Sequence, residues 1–236
     1  MRANAYLPIR VSLVIPVYNN EKTIVRQIDI LEKILNSLCR QYEIIISDDK
    51  SFDDTAKLMQ IHYGGKQRIR LIFNKTNMGI AQNIRQLYTF AKYEYVTLFS
   101  VDGGWKPQDV KRLLMHIYTT NADFVIGLRN KQKYNFYRRL ISFFYNFLPY
   151  ALYGIRTIDA GSIKVFKRFL FHNTQFISTS VFFEAEMIMR TKKMGYKVLS
   201  IPISFTTNRK RVGEGAKLSL IFQSIKDIVR LKMNGF

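Results

Sequence analysis

The spacing of apolar residues changes period repeatedly along the first half of this chain. Short apolar runs near 11–17, 42–48, 69–73, 94–100 and 123–127 read as buried strands. Between them, near 21–38, 53–62, 79–91 and 107–118, apolar residues recur at helical spacing. Strands alternating with helices predict an α/β fold, a mainly parallel sheet flanked by helices and joined by right-handed crossovers. Helix-start chemistry supports this phasing. Asn20 and Thr23 stand at the head of the first helical run, and Pro107 followed by Gln108 and Asp109 opens the fourth.

Beyond residue 127 the pattern becomes less regular. It predicts an aromatic, basic helical segment over about 134–152, a short strand over 162–166, a helix over 180–194, a strand over 197–205 and an amphipathic helix from about 216 to 233. No internal repeat, low-complexity tract or interdomain linker appears. Residues 1–215 are therefore expected to form one domain with halves 1–127 and 128–215, and 216–236 a C-terminal amphipathic helix.

Composition sharpens this picture. The hydrophobic content of 47% is ample for a buried core. Lys and Arg total 37 against 17 Asp and Glu, a net charge of +20, which implies an anionic partner. The cations crowd after position 129 and flank the aromatic run Ile141 to Gly154. Basic residues beside Phe, Tyr and Leu are the composition of an element that lies on an anionic membrane surface. That run is too short and interrupted by Asn146, Pro149 and Gly154 to span, and no transmembrane helix is expected. Met1 to Arg10 lacks the apolar core of a secretory leader, and the single cysteine, Cys39, cannot form an internal disulfide. A cytoplasmic protein, peripheral on the cytoplasmic face of a membrane, is expected. No recognised nucleic-acid module accompanies the charge, so no nucleic-acid partner is expected.

Candidate chemistry gathers at the predicted strand ends, where open α/β sheets bind ligands. The first strand stops at Tyr18-Asn19, and the second at Asp48-Asp49 before a Ser-x-Asp-x-Thr turn. A carboxylate pair there can accept hydrogen bonds from a base imide or a ribose hydroxyl, or can cap the next helix. Asp102 ends another strand before Gly103-Gly104, either as a turn residue or as the ligand of a divalent ion on a diphosphate. Asn77-Met78-Gly79 with Asn83 opens a helix, its glycine allowing close backbone approach. Arg129, Arg138, Arg139 and the Arg209-Lys210-Arg211 cluster carry guanidinium forks suited to phosphate. His62, His116 and His172 are scattered, and no Cys/His spacing suggests zinc.

Taken in order, these motifs resemble inverting family 2 glycosyltransferases of GT-A fold, in particular the dolichyl-phosphate mannose synthase-like and polyprenyl-phosphate sugar transferase branch. The resemblance runs from Val11 to about Lys217, with further blocks at Gly127-Leu128-Arg129, Arg138 to Ser142, Gly161 to Lys164, Glu186 and Ile201 to Phe205. It implies transfer of a hexose from a UDP- or GDP-sugar to a polyprenyl-phosphate lipid. Residues 1–127 would hold the nucleotide sugar, with Pro16, Tyr18, Glu21, Asp48, Asp49, Asn77, Gly79, Asn83 and Val101 around it. Asp102 would hold Mg²⁺ or Mn²⁺. Residues 128–215 would face acceptor and membrane, with Arg129, Arg138, Ser142 and Arg209 on the acceptor phosphate. Asp102 and Arg129 would be catalytic.

Two departures qualify the pattern. Ser100 and Gly104 stand where the family carries Asp and Gln, so the metal site should be weaker. Lys50 replaces the glycine after the Asp pair, adding a cation or forcing a changed turn. Two alternatives follow: a glycan or glycolipid hydroxyl acceptor, with Asp159, Glu184 or Glu186 as general base, or a catalytically impaired nucleotide-binding relative.

Overall fold

The computed structural model describes residues 6–130, 147–206, 218–234 and 236. In chain order the elements are β1 (Leu7–Val17), α1 (Ile24–Leu38), β2 (Cys39–Asp48), α2 (Thr55–Tyr63), β3 (Ile69–Phe73), α3 (Ile80–Phe90), β4 (Tyr95–Leu98), α4 (Pro107–Thr120) and β5 (Phe124–Arg129). A helical segment at 147–153 (α5) precedes β6 (Lys164–Lys167), α6 (Phe169–His172), α7 (Phe183–Lys193), β7 (Val198–Ile203) and α8 (Leu218–Met233). The predicted series of strands and helices is present. The aromatic segment predicted over 134–152 lies largely outside the described residues.

Local sequence explains most of these elements. In α1 the residues Ile24, Ile28, Leu31, Leu35 and Leu38 recur at helical spacing and all are buried. Leu13, Val14 and Ile15 of β1 are all fully buried, as a central strand covered on both faces requires. Pro107 occupies the first turn of α4, where its missing N–H costs no hydrogen bond. β1 begins at Leu7, earlier than the apolar run suggests, because Leu7 and Ile9 are buried while the residues between and after them face solvent.

The strands form one sheet in the order β3-β2-β1-β4-β6-β5-β7. β1 pairs parallel with β2 and β4, β2 with β3, and β5 with β7. β6 runs antiparallel to both β4 and β5 and lies between them. A simple βα series would seat β5 beside β4. Instead Phe166 of β6 fills that interval, stacked on Phe124 at 5.4 Å and edge-on to Tyr88 of α3 at 5.0 Å. A smaller second core joins Phe182, Ala185 and Met189 to Ile228 and Leu231 of α8 and to Leu148, Tyr153 and Ile155.

Candidate active site

Because β2, β1 and β4 are adjacent and parallel, their C-terminal ends emerge side by side. Val17 is in register with Asp48, and Val14 with Leu98. Neighbouring strands lie about 4.8 Å apart, so the tips of β2 and β4 stand roughly 10 Å apart across the end of β1. That span suits a nucleoside diphosphate.

The loops after β1 and β2 are tied together by hydrogen bonds. Asn19 N donates to Ser51 Oγ at 2.9 Å, and Phe52 N returns a bond to Asn19 Oδ1 at 3.1 Å. Asn20 N donates to Thr55 Oγ1 at 2.8 Å, Glu21 N to Asp53 Oδ2 at 3.2 Å, and Asp54 N to Glu21 Oε2 at 3.2 Å. Burial alone would raise the Asp53 carboxyl, but bonds from Thr55 and from the Glu21 backbone outweigh it and hold the group below its ordinary value. Two residues here, Asn19 at φ 53° and Lys50 at φ 64°, occupy the left-handed region that side chains other than glycine enter at a cost. Lys50 thus keeps the turn that glycine would make and exposes its ammonium beside the Asp pair.

Asp48 and Asp49 are both 3% exposed and already bonded. Asp48 accepts Ser51 N at 3.2 Å and the Ser51 hydroxyl. Asp49 accepts Met78 N and Gly79 N, each at 2.9 Å, and Asn74 Nδ2 at 3.1 Å. It therefore fixes the head of α3, where Gly79 at φ 81° turns the chain inward. Asn77 Oδ1 also accepts Gly79 N, at 3.2 Å. Asn83 donates to Ser47 O at 3.3 Å, and its buried Oδ1 has no protein partner.

Asp102 differs from the pair. It is exposed, and one oxygen, Oδ1, accepts Gly104 N at 3.0 Å. The chain then crosses to the end of β7: Thr206 N donates to Gly104 O at 2.9 Å, and Trp105 bridges Phe205. A Cβ on Gly104 would meet the Phe205 ring at 2.9 Å. A glutamine there would require that ring to move. Among the described residues no cluster of three His, Cys, Asp or Glu side chains could hold a metal. One exposed carboxylate next to the Ser100 hydroxyl suits a hard divalent cation whose remaining ligands are diphosphate oxygens and water.

At the end of β5, Arg129 is clamped by Asp159. Arg129 N donates to Asp159 Oδ2 at 2.8 Å, and the guanidinium makes a forked contact through Nε and Nη2. Its face lies over the Phe205 ring at 5.3 Å. Asp159 holds this geometry at φ 46°. Deeper, the fully buried Lys164 pairs with Glu184, which also accepts the Tyr88 hydroxyl at 3.2 Å. Burial lowers the Lys164 ammonium, opposed by the Glu184 charge. Glu186 is also fully buried and accepts Ile177 N at 3.0 Å, Ser178 N at 2.8 Å and Arg190 Nε at 2.8 Å.

The structure thus gathers Tyr18, Glu21, Asp48, Asp49 and Asp102 at adjoining strand ends, with Asn77, Gly79 and Asn83 on the β3–α3 side. Pro16 is a buried strand residue, and Val101 is fully buried, which leaves only its backbone for a ligand. Arg138, Ser142 and Arg209 lie outside the described residues. Sequence reasoning gave no role to Phe52, 83% exposed and edge-on to Tyr18 at 6.0 Å, or to Phe205, named only as the end of a resembling block, which joins Asp102's loop to Arg129. The Ser51-Phe52-Asp53 turn signalled the first; nothing local signalled the second.

The sheet with its strand-end site is the GT-A fold of sugar-nucleotide transferases. Residues 12–182 match glycosyl transferase family 2, and the chain belongs to that family of glycosyltransferases. It is 26% identical over 256 aligned positions to a dolichyl-phosphate beta-glucosyltransferase of Dictyostelium discoideum, covering 97% of this chain and 74% of that protein. It is 25% identical to the glycosyltransferase GlyG of Streptococcus pneumoniae, over 94% of this chain and 77% of the relative. An uncharacterised protein of Methanocaldococcus jannaschii is 33% identical over 141 residues, and the aligned segment spans 58% of its length. Among solved structures, glucosyl-3-phosphoglycerate synthase of Mycobacterium tuberculosis with Mn²⁺, UDP and phosphoglyceric acid superimposes with a TM-score of 0.73 at 18% identity. That match covers 97% of this chain and 79% of the synthase.

Proposed function

We propose that this chain moves a hexose, with inversion, from a UDP- or GDP-sugar to a polyprenyl phosphate on the cytoplasmic face of an anionic membrane. The observation that carries the acceptor is the state of the carboxylates. A hydroxyl acceptor needs a general base, yet Asp159 is clamped on Arg129, Glu184 is paired with Lys164, and Glu186 is fully buried with three donors. A phosphate monoester has its second ionisation at about pH 6 and arrives as an anion that needs little proton removal. The protein named dolichyl-phosphate beta-glucosyltransferase, similar along nearly the whole chain, supports the same acceptor class. Among the described residues no helix is long and apolar enough to cross a membrane.

In this reading the nucleotide lies across Pro16, Tyr18, Glu21 and the Asp48-Asp49 tip, bordered by Asn77, Gly79, Asn83 and the backbone of Val101. Asp48 and Asp49 act mainly by holding the loops that shape the pocket. Asp102 would hold Mg²⁺ or Mn²⁺, whose charge favours departure of the nucleoside diphosphate. Lys50 adds a second positive charge on that side. Arg129, aimed by Asp159 and Phe205, orients the acceptor phosphate together with Arg138, Ser142 and Arg209. A phosphate oxygen attacks the anomeric carbon as the bond to the diphosphate oxygen breaks, so positioning and charge carry the catalysis.

The deciding experiment is radiolabelled transfer from a panel of UDP- and GDP-sugars into polyprenyl phosphate, with Mg²⁺, with Mn²⁺ and with chelator. Metal-dependent label in a lipid labile to mild acid and stable to mild alkali is the expected result. Transfer to a glycan instead would establish the hydroxyl acceptor. Nucleotide binding without transfer would identify an impaired relative, a reading that Phe205 against Gly104 favours.

A further inference from the structure

Helix α8 has two opposite faces, and among the described residues only one of them packs on the rest of the protein. Ser224, Asp227, Ile228 and Leu231 are buried. Asp227 accepts Thr179 N at 2.9 Å and Ser180 N at 2.7 Å, and Tyr153 donates its hydroxyl to Ile228 O at 2.6 Å. These contacts fix the rotation of the helix. The far side carries Phe222 (63% exposed), Ile225 (44%), Val229 (51%) and Met233 (79%). At roughly 100° per residue these four fall within an arc of about 80°, centred nearly opposite the buried four. Lys232 lies on one shoulder of the arc, and Lys226 and Arg230 on the other. Asp227 is the only acid between Leu218 and Met233, and it is buried.

We infer that this outer face of α8 docks on an anionic lipid bilayer, lying flat in the headgroup region with Phe222, Ile225, Val229 and Met233 inserted. Cations on both shoulders of a narrow apolar stripe can bury their stems and leave their charges among phosphates. Lys232 is held in that posture by donating to Leu152 O of α5 at 3.2 Å. Arg230 reaches Asp227 only at 3.9 Å and is 58% exposed on its side chain, which leaves it open to a headgroup. A second copy of the chain suits the face poorly, because paired α8 stripes would bring cations together with no exposed acid to answer them. Helix α5, which packs on α8, exposes Tyr150 and Leu152 and widens the apolar area. The inference deepens the membrane part of the proposed function. It does not use the identity of the acceptor, so vesicles free of polyprenyl phosphate test it separately from sugar transfer.

The test is co-sedimentation of the 236-residue protein with vesicles of phosphatidylcholine alone and of phosphatidylcholine with phosphatidylglycerol. Binding is expected only to the anionic vesicles and should weaken with salt. The double substitution Phe222→Gln, Val229→Gln should lower it roughly tenfold or more, and Lys226→Gln about fivefold. Both variants change exposed residues and should keep the parent Tm. In a Phe222→Trp variant the indole emission should shift to the blue on adding anionic vesicles. The proposal is overturned if the protein does not bind, if binding is indifferent to these substitutions, or if the indole shift grows with protein concentration in the absence of lipid, which would assign the face to a second copy.

Discussion

The tips of β2 and β4 carry the same chemical group at equivalent ends of parallel strands and use it in opposite ways. At the β2 tip, Asp48 and Asp49 are 3% exposed and bonded to Ser51, Asn74, Met78 and Gly79. At the β4 tip, Asp102 is exposed and spends one oxygen on its own turn. Topology brings carboxylates to one edge of the sheet, but the number of protein donors around each decides what it can do. A carboxylate surrounded by N–H groups builds the loop. One left in solvent is available to a ligand.

The contrast is open to direct tests. Asp102→Ala should lower sugar transfer by about a thousandfold if the carboxylate holds the cation that stabilises the leaving group. Its melting temperature should hardly move, and single-turnover assays beside a thermal melt would read both. Unchanged turnover would remove Asp102 from the reaction. Asp49→Ala should do the reverse in kind: loss of a charged acceptor for two backbone donors should cost about 2–4 kcal/mol of stability, read by urea unfolding. If its stability is unchanged while nucleotide affinity collapses, Asp49 is a binding group and not a loop-holding one.

Ser100→Asp should raise Mn²⁺ affinity about tenfold, measured by calorimetry with UDP present, since a second carboxylate would join the first. No change would mean that the ion sits elsewhere. Gly104→Gln should not help, because Phe205 occupies the space. The smallest effect concerns the left-handed turn at Lys50. Relief of strain by Lys50→Gly is partly cancelled by the greater freedom of glycine in the unfolded chain, leaving a gain of about 0.5–1 kcal/mol. The same change should weaken nucleotide-sugar binding a few-fold if the ammonium faces the diphosphate, as salt-dependent calorimetry would reveal.

The periodicity of the first half was readable because its strands and helices are local and strongly patterned. Ile44-Ile45-Ile46 and the α1 stripe each bury themselves by a rule visible within a dozen or so residues. The position of β6 was not readable. Its four residues fit any interior strand, and the choice of the gap between β4 and β5 depends on Phe166 meeting Phe124 and Tyr88 across the sheet. The same limit applies to Arg129. In sequence its guanidinium makes it a candidate for binding phosphate, but the clamp by Asp159 and the Phe205 face behind it join residues thirty and more apart.

By itself, then, the sequence determined the alternation of strands and helices, the strand-end positions of Asp48, Asp49 and Asp102, and the excess of positive charge. Each is a property of neighbouring residues or of the chain as a sum. Tertiary structure decided which carboxylates are satisfied, how Phe205 closes over Gly104, and which side of α8 is left bare. These depend on where distant backbone N–H groups and rings fall once the sheet is assembled, and side-chain exposure is set only then.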